Sequence, residues 1–470
     1  DRSALPARSE MCIRDRNMTY IVGFFDWLQS LGVSVFMPLV ILVLGLIFGL
    51  GFSKSLKAGL TVGIGFVGLN LVINELLGTS LSPAVQTMVE KYNLALSVID
   101  VGWPAAAAIA LGSQIGVLII PVGVLVNFLM LLTNTTQTLN VDIWNYWHFA
   151  FTGALTAIYT GSFAIGMIAA IINMIIIMVL ADITAGKVEE SLGIPGVSLP
   201  HGFSTAYAPI AMAFNWIIDR IPGLRNIDIN FDRIREKIGI LGEPMMIGTI
   251  IGLAIGVVAG YDIAGILGLG VSLGAVLVLI PKMAAMLMEG LEPISEAAGE
   301  FIKKRFSNRG KMYIGLDSAI GVGHPVTLTI AYLLMPLALI LAVALPGNKV
   351  MPFTDLSVLP FMILLIAPIV NNNGFRTLLI GIIFLIFGLY ISTDLAPLIT
   401  QAAMNVGFHM PEGANMISCI SDGASPLSWL LVNINKFGII GIVVAAVLSI
   451  ILALMNRKRI IKEANTIENN

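Results

Sequence analysis

Long uninterrupted apolar stretches constrain this chain more than any other feature of its sequence. One of them, residues 326–343, contains no charged residue and is long enough for a helix to cross the hydrocarbon core of a bilayer. Of the 470 residues, 57% are hydrophobic and 11% are charged, whereas a soluble domain carries about 25% charged residues. The sequence therefore predicts an all-α, polytopic membrane protein with little length left for a soluble domain.

A glycine-rich segment, residues 315–325, lies directly before this apolar stretch and contains Asp317 and His324. Irregular backbone at membrane depth is tolerated only where it is buried in protein or lines a wet cavity. Ionisable side chains at that depth usually mark a substrate or ion pathway. We therefore expect a polar site inside the membrane, with the break at residues 100–104 as the counterpart of this segment.

Matching positions recur in order about 210 residues apart, which indicates an internal duplication. The pairs are Gly59 and Gly268, Pro83 and Pro293, Pro121 and Pro336, Asp142 and Asp355, Asp182 and Asp394, and residues 200–202 and 411–413. We predict two repeats of about five helices each, residues 18–235 and 238–435, with broken or re-entrant segments between them. A charged hinge at 219–237 joins them on the cytoplasmic side, an extra helix follows at 436–456, and residues 457–470 form a cytoplasmic tail.

The basic residues predict how the two repeats are oriented. Lys54 and Lys57 match residues 261–265, which contain no base, whereas the basic cluster at 303–311 matches a region near Lys91 that has one. Basic loops stay on the cytoplasmic side of a membrane. The repeats are therefore predicted to be inverted, an arrangement in which transporters bind substrate near the midplane, at broken helices.

Residues 1–17 are polar and arginine-rich, and they lack the apolar core of a signal peptide. We interpret them as a non-native or disordered tail, because Met18 opens a segment typical of a membrane protein. The two cysteines, Cys12 and Cys419, form neither a disulfide framework nor a metal motif. The sequence contains no Walker A motif and no basic patch interleaved with aromatic residues. We therefore expect no metal, no cofactor, no direct use of ATP and no nucleic-acid partner.

The polar breaks between apolar runs supply the candidate substrate-binding residues. They are Asp317, His324, His201, Glu243, Gln114, Asp100, Trp103, Asn372 and Asp422. A carboxylate forms stronger hydrogen bonds to hydroxyl groups than a neutral acceptor does. Each candidate also has a structural interpretation: a buried aspartate bonded to backbone amides, a helix N-terminus for Glu243, a packing role for Trp103.

Two further residues are interpreted as less important. Glu412 is the repeat partner of His201 and a weaker candidate for the site. His148 follows the aromatic residues Trp144, Tyr146 and Trp147, which look like a belt at the membrane interface. We interpret His148 as a histidine at the interface whose ring nitrogens are hydrogen-bonded and that has no role in a site.

Longer motifs point to a family. They are Gly-Ile-Gly-Phe-Val-Gly at 63–68, Asp-Val-Gly-Trp-Pro at 100–104, Asn-Val-Asp-Ile-Trp-Asn at 140–145, Pro-His-Gly at 200–202, Gly-Glu-Pro at 242–244, Gly-Leu-Asp at 315–317 and Phe-Arg-Thr-Leu at 375–378. From about residue 18 to residue 455, the sequence resembles the membrane-embedded IIC component of the galactitol-type sugar phosphotransferase system. This family is related to the ascorbate-type permeases.

The resemblance implies group translocation. The chain would carry a hexitol across the bacterial cytoplasmic membrane, and a separate IIB protein, charged by IIA, would phosphorylate it from a phosphocysteine. No catalytic residue is then expected on this chain. The ascorbate-type relatives imply a homodimer in which a core moves like an elevator against a scaffold of V-shaped motifs. Pro325 after His324, and the asparagines at 371–373, depart from the galactitol pattern, so the polyol stays open.

The residues by themselves are compatible with three functions. The first is a hexitol permease that works with IIB. The second is an ion-coupled secondary transporter with Asp317 or Glu243 as the proton carrier. The third is an intramembrane enzyme or a scaffold that uses the same acids.

Overall fold

The computed structural model describes residues 33–81, 96–140, 142–193, 195–227, 243–306, 312–322, 324–411 and 414–468, together with 83, 84, 87 and 91. The predicted tail at 1–17, most of the predicted hinge at 219–237, and Glu412 lie outside the described residues.

Helices account for most of the described chain. They are α1 (Val33–Ile47), α2 (Phe52–Leu71, continued by a π-helical stretch Val72–Leu81), α3 (Trp103–Gly112), α4 (Gln114–Leu132), α5 (Tyr146–Thr160), α6 (Phe163–Leu192), α7 (Ala208–Ile218), α8 (Pro244–Ala259), α9 (Ile263–Phe306), α10 (Ala319–Val322), α11 (Pro325–Ala344), α12 (Leu359–Ile363), α13 (Ile366–Ile369), α14 (Gly374–Asn405), α15 (Pro426–Asn433) and α16 (Ile439–Glu468).

Within the described part of the chain, five helices are long and apolar enough to cross a membrane: α4, α6, α11, α14 and residues Ile439–Glu463 of α16. Their mean hydropathies lie between 2.2 and 2.8. A bilayer core of about 30 Å requires about 20 apolar residues in a helix, a length that these segments reach or approach. The protein is therefore a helical, multi-pass membrane protein, as predicted.

Six very short strands form two parallel sheets that the sequence did not predict. The strands are β1 (Val98–Asp100), β2 (Thr138–Asn140), β3 (Val197–Ser198), β4 (Tyr313–Gly315), β5 (Val350–Met351) and β6 (Met416–Ser418). In one sheet β1 lies between β5 and β6, and in the other β4 lies between β2 and β3. Each central strand therefore pairs with two strands from the other half of the chain.

The order of elements in residues 33–218 recurs in residues 244–433. In both halves two helices precede a strand, which is followed by a short helix, a long helix and a strand. A further helical segment comes next, continuous in the first half and broken in the second, and then a long helix of 30 or 32 residues, a strand and a short helix. The sheets follow the same correspondence, because exchanging the two halves converts the order β5-β1-β6 into β2-β4-β3.

Strand register changes one of the matches read from the sequence. Ser198 pairs with Gly315 at the centre of one sheet, and Ser418 pairs with Asp100 at the centre of the other. Counting three residues on from each serine, the counterpart of His201 is Ser421 rather than Glu412. The constant offset fails here because ten residues link α14 to β6, whereas four link α6 to β3.

The backbone of the break after β1 is held by two buried carboxylates. Asp100 accepts hydrogen bonds from the backbone N–H of Gly102 at 3.0 Å and of Asp355 at 2.7 Å. Asp355 in turn accepts from the N–H of Trp103 at 2.7 Å, and from two further N–H groups in the loop after β6, at residues 420–421. Without such acceptors, backbone donors buried at membrane depth would each cost several kcal/mol.

The other break contains a similar pair, Asp142 and Asp317. Asp142 accepts a hydrogen bond from the backbone N–H of Trp144 at 3.1 Å and also from the N–H of Asp317. Asp317 accepts from the N–H of Ala319 at 2.6 Å. Each half of the chain thus contributes one aspartate to each of the two carboxylate pairs.

We predict that Asp355→Asn destabilises the protein. The amide keeps the size of the side chain, but it replaces one acceptor oxygen with a donor that faces backbone N–H groups. Loss of a hydrogen bond to a charged group costs about 1.5–3 kcal/mol. The melting temperature of the purified protein in detergent should therefore fall clearly. Asp394→Asn is the control, because Asp394 accepts from the indole N–H of Trp429 on an exposed face. Equal melting of both variants would contradict a structural role for Asp355.

Candidate functional site

A cavity lies where the two broken segments meet. Its lining residues are Trp103, Trp144, Trp147, His148, His201, Phe203, Asp317, Ala319, Val358, Phe361 and Ser421. Most of this surface is aromatic or aliphatic, and a few polar groups converge on it. Small-molecule sites typically have this composition, in which apolar walls exclude water and a few polar groups fix the orientation of the ligand.

His201 lies in the loop after β3, and its ring is 5% exposed. Its Nδ1 accepts a hydrogen bond from the backbone N–H of Ser204 at 3.2 Å. A neutral imidazole whose Nδ1 is an acceptor must carry its proton on Nε2. This Nε2 lies 3.9 Å from Oδ2 of Asp317, so the loop presents a donor on the carboxylate side of the cavity.

Asp317 follows β4, at the start of the predicted break. One of its oxygens is held by the N–H of Ala319, as described above, and the other faces His201. The side chain is 15% exposed and lines the cavity. The carboxylate is thus fixed on one side by the backbone and keeps a second oxygen for a ligand.

His148 lies on α5 and packs against His201, with the ring centroids 4.3 Å apart and the ring planes at 56° to each other. On its other side Trp147 lies 4.1 Å away, centroid to centroid. Its Nδ1 is 2.6 Å from Oδ2 of Asp422. Gly202 makes this arrangement possible, because a Cβ at that position would lie 2.3 Å from the Cβ of His148.

The interpretation of His148 as an interfacial histidine is wrong. His148 is 1% exposed, and Trp144, Tyr146 and Trp147 are at most 4% exposed. These aromatic residues form the wall of an internal site rather than a belt at the membrane surface. A cue was present in the sequence, since a run of aromatic residues that also contains a histidine and asparagines is more polar than a lipid-facing segment requires.

Comparison with known proteins identifies the family. The family model described as the PTS system sugar-specific permease component matches residues 28–413. The chain belongs to this permease family. A putative permease IIC component of Escherichia coli K12 is 40% identical over 439 residues, which cover 93% of this chain and 100% of the relative. The galactitol-specific EIIC components of Escherichia coli K12 and O157:H7 are each 39% identical over 421 residues, or 88% of this chain and 92% of the relative.

This permease is therefore the membrane subunit of a sugar phosphotransferase system, and it works with IIB and IIA components and a sugar substrate. It is a transporter subunit rather than an enzyme on its own. Family membership confirms a phosphotransferase-system permease among the functions compatible with the sequence, and it does not favour an ion-coupled secondary transporter.

Several buried polar groups of the permease have no hydrogen-bond partner among the described residues. Both amide atoms of Asn140 and of Asn145 belong to this set, as do Nε2 of His148, Oγ of Ser421 and Oδ1 of Asp422. Buried polar groups are almost always paired with protein or ordered water. Among them, His148 and Ser421 line the cavity and Asp422 contacts the His148 ring. Their unpartnered atoms can therefore form hydrogen bonds with water or with a substrate.

Some predicted site residues lie outside the cavity lining. Both carboxylate oxygens of Asp100 accept the backbone N–H groups described above. Asp422 contacts Nδ1 of His148 and does not line the cavity itself. Gln114 borders a different cleft, near the tip between α3 and α4, together with Gln401 and Asn405. Of the predicted residues, Asp317, His201 and Trp103 come together in the cavity.

The remaining candidates lie at helix ends. His324 is the residue before α11, and its Nδ1 has no partner among the described residues. Glu243 occupies the same position before α8. Asn372 accepts a hydrogen bond from the hydroxyl of Ser191 at 2.7 Å, in the link between α13 and α14. Among the residues that the structure describes, no group of three or more His, Cys, Asp or Glu side chains is placed to hold a metal ion.

We predict that Gly202→Ala weakens substrate binding without unfolding the permease. The added methyl group would displace His148, and through it the adjacent ring of His201. Gly186→Ala, on α6, is the matched control, because a Cβ there meets nothing within 4 Å. Binding is measured by calorimetry on the purified protein, together with melting. Equal affinities of the two variants would contradict the assignment of the His148–His201 pair to the site.

Proposed function

We propose that this permease binds galactitol or a stereoisomeric hexitol in the cavity between Trp103, His148, His201 and Asp317. It delivers the hexitol to the cytoplasmic face of the bacterial cell membrane, where a separate IIB protein phosphorylates it. The observation that supports this proposal best is that a carboxylate and two histidines converge inside an aromatic cavity. The protein that contains this cavity is 39% identical to galactitol-specific components.

The chemistry of the cavity fits an uncharged polyol. A hexitol has a hydroxyl on every carbon, and each hydroxyl both donates and accepts hydrogen bonds. The free oxygen of Asp317 supplies an acceptor, and Nε2–H of His201 supplies a donor. The faces of Trp103 and the other indoles cover the C–H groups of the chain. Phosphorylation then traps the product, since a phosphate dianion does not recross the apolar core of the bilayer.

We also propose that the two halves are inverted repeats, residues 18–235 and 238–435. The end of α6 lies beside the start of α14, because Lys187 donates to Asn371 at 2.8 Å and Ser191 donates to Asn372 at 2.7 Å. If α6 leaves the membrane on the face where α14 enters it, the two helices run in opposite directions. They occupy the same place in the two halves, so this contact supports inversion.

The C-terminal helix supports a cytoplasmic location for that face. Asn456 of α16 donates to the carboxylate of Asp182, in the C-terminal half of α6, at 2.6 Å and to the carbonyl of Thr135 at 3.0 Å. The basic residues 457–459 follow directly. Since basic segments stay in the cytoplasm, the end of α6, the link 371–373 and the tail 457–470 are assigned to the inner side.

The helix pairs α1–α2 and α8–α9 are proposed as the V-shaped scaffold of an elevator. Glycines bring these helices together: a Cβ at Gly59, Gly252 or Gly290 would lie within 2.9 Å of a backbone carbonyl of the neighbouring helix. Close backbone approach through small residues is a common mode of helix association in membranes. The remaining helices, which carry the cavity, form the moving core, and two scaffolds associate in a homodimer.

We predict that Asp317→Asn removes transport. Loss of a charge-assisted hydrogen bond to a hydroxyl weakens binding by about tenfold or more. Uptake is measured in proteoliposomes supplied with IIB, IIA, the general phosphocarrier proteins and phosphoenolpyruvate, and the product is identified as hexitol phosphate. Asp262→Asn is the control, because this exposed carboxylate also accepts from a backbone N–H, at 2.8 Å, but lies at the start of α9.

Two results would overturn the proposed function. One is full uptake by Asp317→Asn. The other is accumulation of unmodified substrate that is independent of phosphoenolpyruvate and collapses with an uncoupler.

Inversion of the repeats is tested by labelling single cysteines with a membrane-impermeant thiol reagent in a Cys12→Ser background. Cys419 stays, because its side chain is fully buried. Lys187→Cys, at the end of α6, should react only from the cytoplasmic side. Lys349→Cys should react only from outside, because the backbone N–H of residue 349 donates to the hydroxyl of Thr393, which lies in the second half of α14. Reaction of both from one side would contradict inversion.

A further inference from the structure

Asp422 has no role in the site described so far, although it contacts one of its central residues. We propose that Asp422 is a positioning residue that keeps the proton of His148 on Nδ1, so that Nε2 of His148 accepts a hydrogen bond from a substrate hydroxyl. The adjacent His201 ring donates one from its own Nε2. The proposal rests on the proposed function of the cavity. It adds that one of the two histidines accepts a hydrogen bond from the substrate and that the other donates one.

The first support is the burial of Asp422. Its side chain is 1% exposed, and Oδ1 has no partner among the described residues. Its Oδ2 lies 2.6 Å from Nδ1 of His148, at hydrogen-bond distance. The contact places Nδ1 within hydrogen-bond distance of the carboxyl group, and an ionised carboxylate, which can only accept, holds the imidazole proton on Nδ1. Burying a carboxyl group with one partner costs free energy, and stability gives little reason to place it there.

The second support is the opposite arrangement at His201. There the backbone N–H of Ser204 donates to Nδ1, which leaves the proton on Nε2. At His148 the carboxylate of Asp422 takes the place of that backbone donor and requires the proton on Nδ1. Two rings 4.3 Å apart are therefore fixed as opposite tautomers.

The consequence is a paired acceptor and donor on adjacent rings. Nε2 of His148 has no partner among the described residues, and both rings line the cavity. With Asp317 as a second acceptor, the three groups match two hydroxyls on neighbouring carbons. One hydroxyl donates to His148, while the other accepts from His201 and donates to Asp317. The ligand class is thus a vicinal diol whose two hydroxyls are both unsubstituted.

The tautomers are measured directly by ¹⁵N NMR of histidine-labelled permease in nanodiscs. The chain has four histidines, and single substitutions of His148 and His201 assign the two signals of interest. Without ligand, His148 should show a protonated Nδ1 and a bare Nε2, and His201 the reverse. A proton on Nε2 of His148, or on both of its nitrogens, overturns the proposal. This measurement needs no substrate, so it stands even if the permease binds no hexitol.

Asp422→Asn and Asp422→Leu remove the carboxylate and release the constraint. In both variants the Nε2–H tautomer of His148 should become populated, and galactitol affinity should fall about tenfold. The maximal rate of phosphorylation by IIB at saturating substrate should change little, because Asp422 does not touch the reacting hydroxyl. Asp394→Asn is again the control, and it should leave both tautomer and affinity unchanged.

A double-mutant cycle separates positioning from a merely structural role. The amide oxygen of His148→Gln accepts a hydrogen bond whatever residue stands at 422. In that background Asp422→Asn should cost no further affinity. An equal loss in both backgrounds overturns the proposal. Failure of the unsubstituted permease to bind any hexitol would instead contradict the proposed function, and the NMR result would still decide the role of Asp422.

Discussion

The carboxylate of Asp355 holds together three segments that are distant in sequence. It accepts backbone N–H groups from the break after β1 and from the loop after β6, while its own N–H donates to Asp100. In lipid, no bulk water is available to satisfy an unwound backbone. This interaction therefore allows irregular chain to exist at membrane depth. It also fixes two walls of the cavity, because Trp103 lies on one bonded segment and Ser421 on the other.

The second carboxylate pair shows how a duplicated unit can provide one site rather than two. Asp142 and Asp317 repeat the arrangement, but Asp317 keeps one oxygen toward the cavity while Asp100 is fully occupied. At the position equivalent to His201, the other half has Ser421. One break is thus closed by its own backbone, and the other retains an acceptor and a donor for a ligand. The asymmetry depends on a few side chains placed on similar backbones.

Much of the site could be predicted because ionisable residues are costly in apolar surroundings and so stand out in the sequence. Asp317 and His201 were predicted in this way, and Trp103 was predicted because it lies in the break at 100–104. His148 was missed because its role depends on Gly202, whose missing side chain lets the rings of His148 and His201 pack together across a long sequence separation. No local pattern reports such a contact. The strands were missed because two or three residues are too few to show the alternation of apolar and polar residues that predicts a strand.

The match of His201 with Glu412 failed for a related reason. A constant offset holds only while both halves have loops of equal length, and the link before β6 is longer than the link before β3. Strand register, which reports hydrogen-bonded neighbours directly, gave the counterpart that sequence spacing did not.

The reciprocal strand pairing has a consequence for biogenesis. β1 has its two neighbours, β5 and β6, more than two hundred residues downstream, so the ribosome must make nearly the whole chain before that sheet can close. Until then, β1 lacks both of its neighbouring strands, and Asp100 lacks its hydrogen bond from Asp355. Truncation before residue 418 would therefore leave both halves incomplete, and we expect the two halves to finish folding together rather than as two modules in succession.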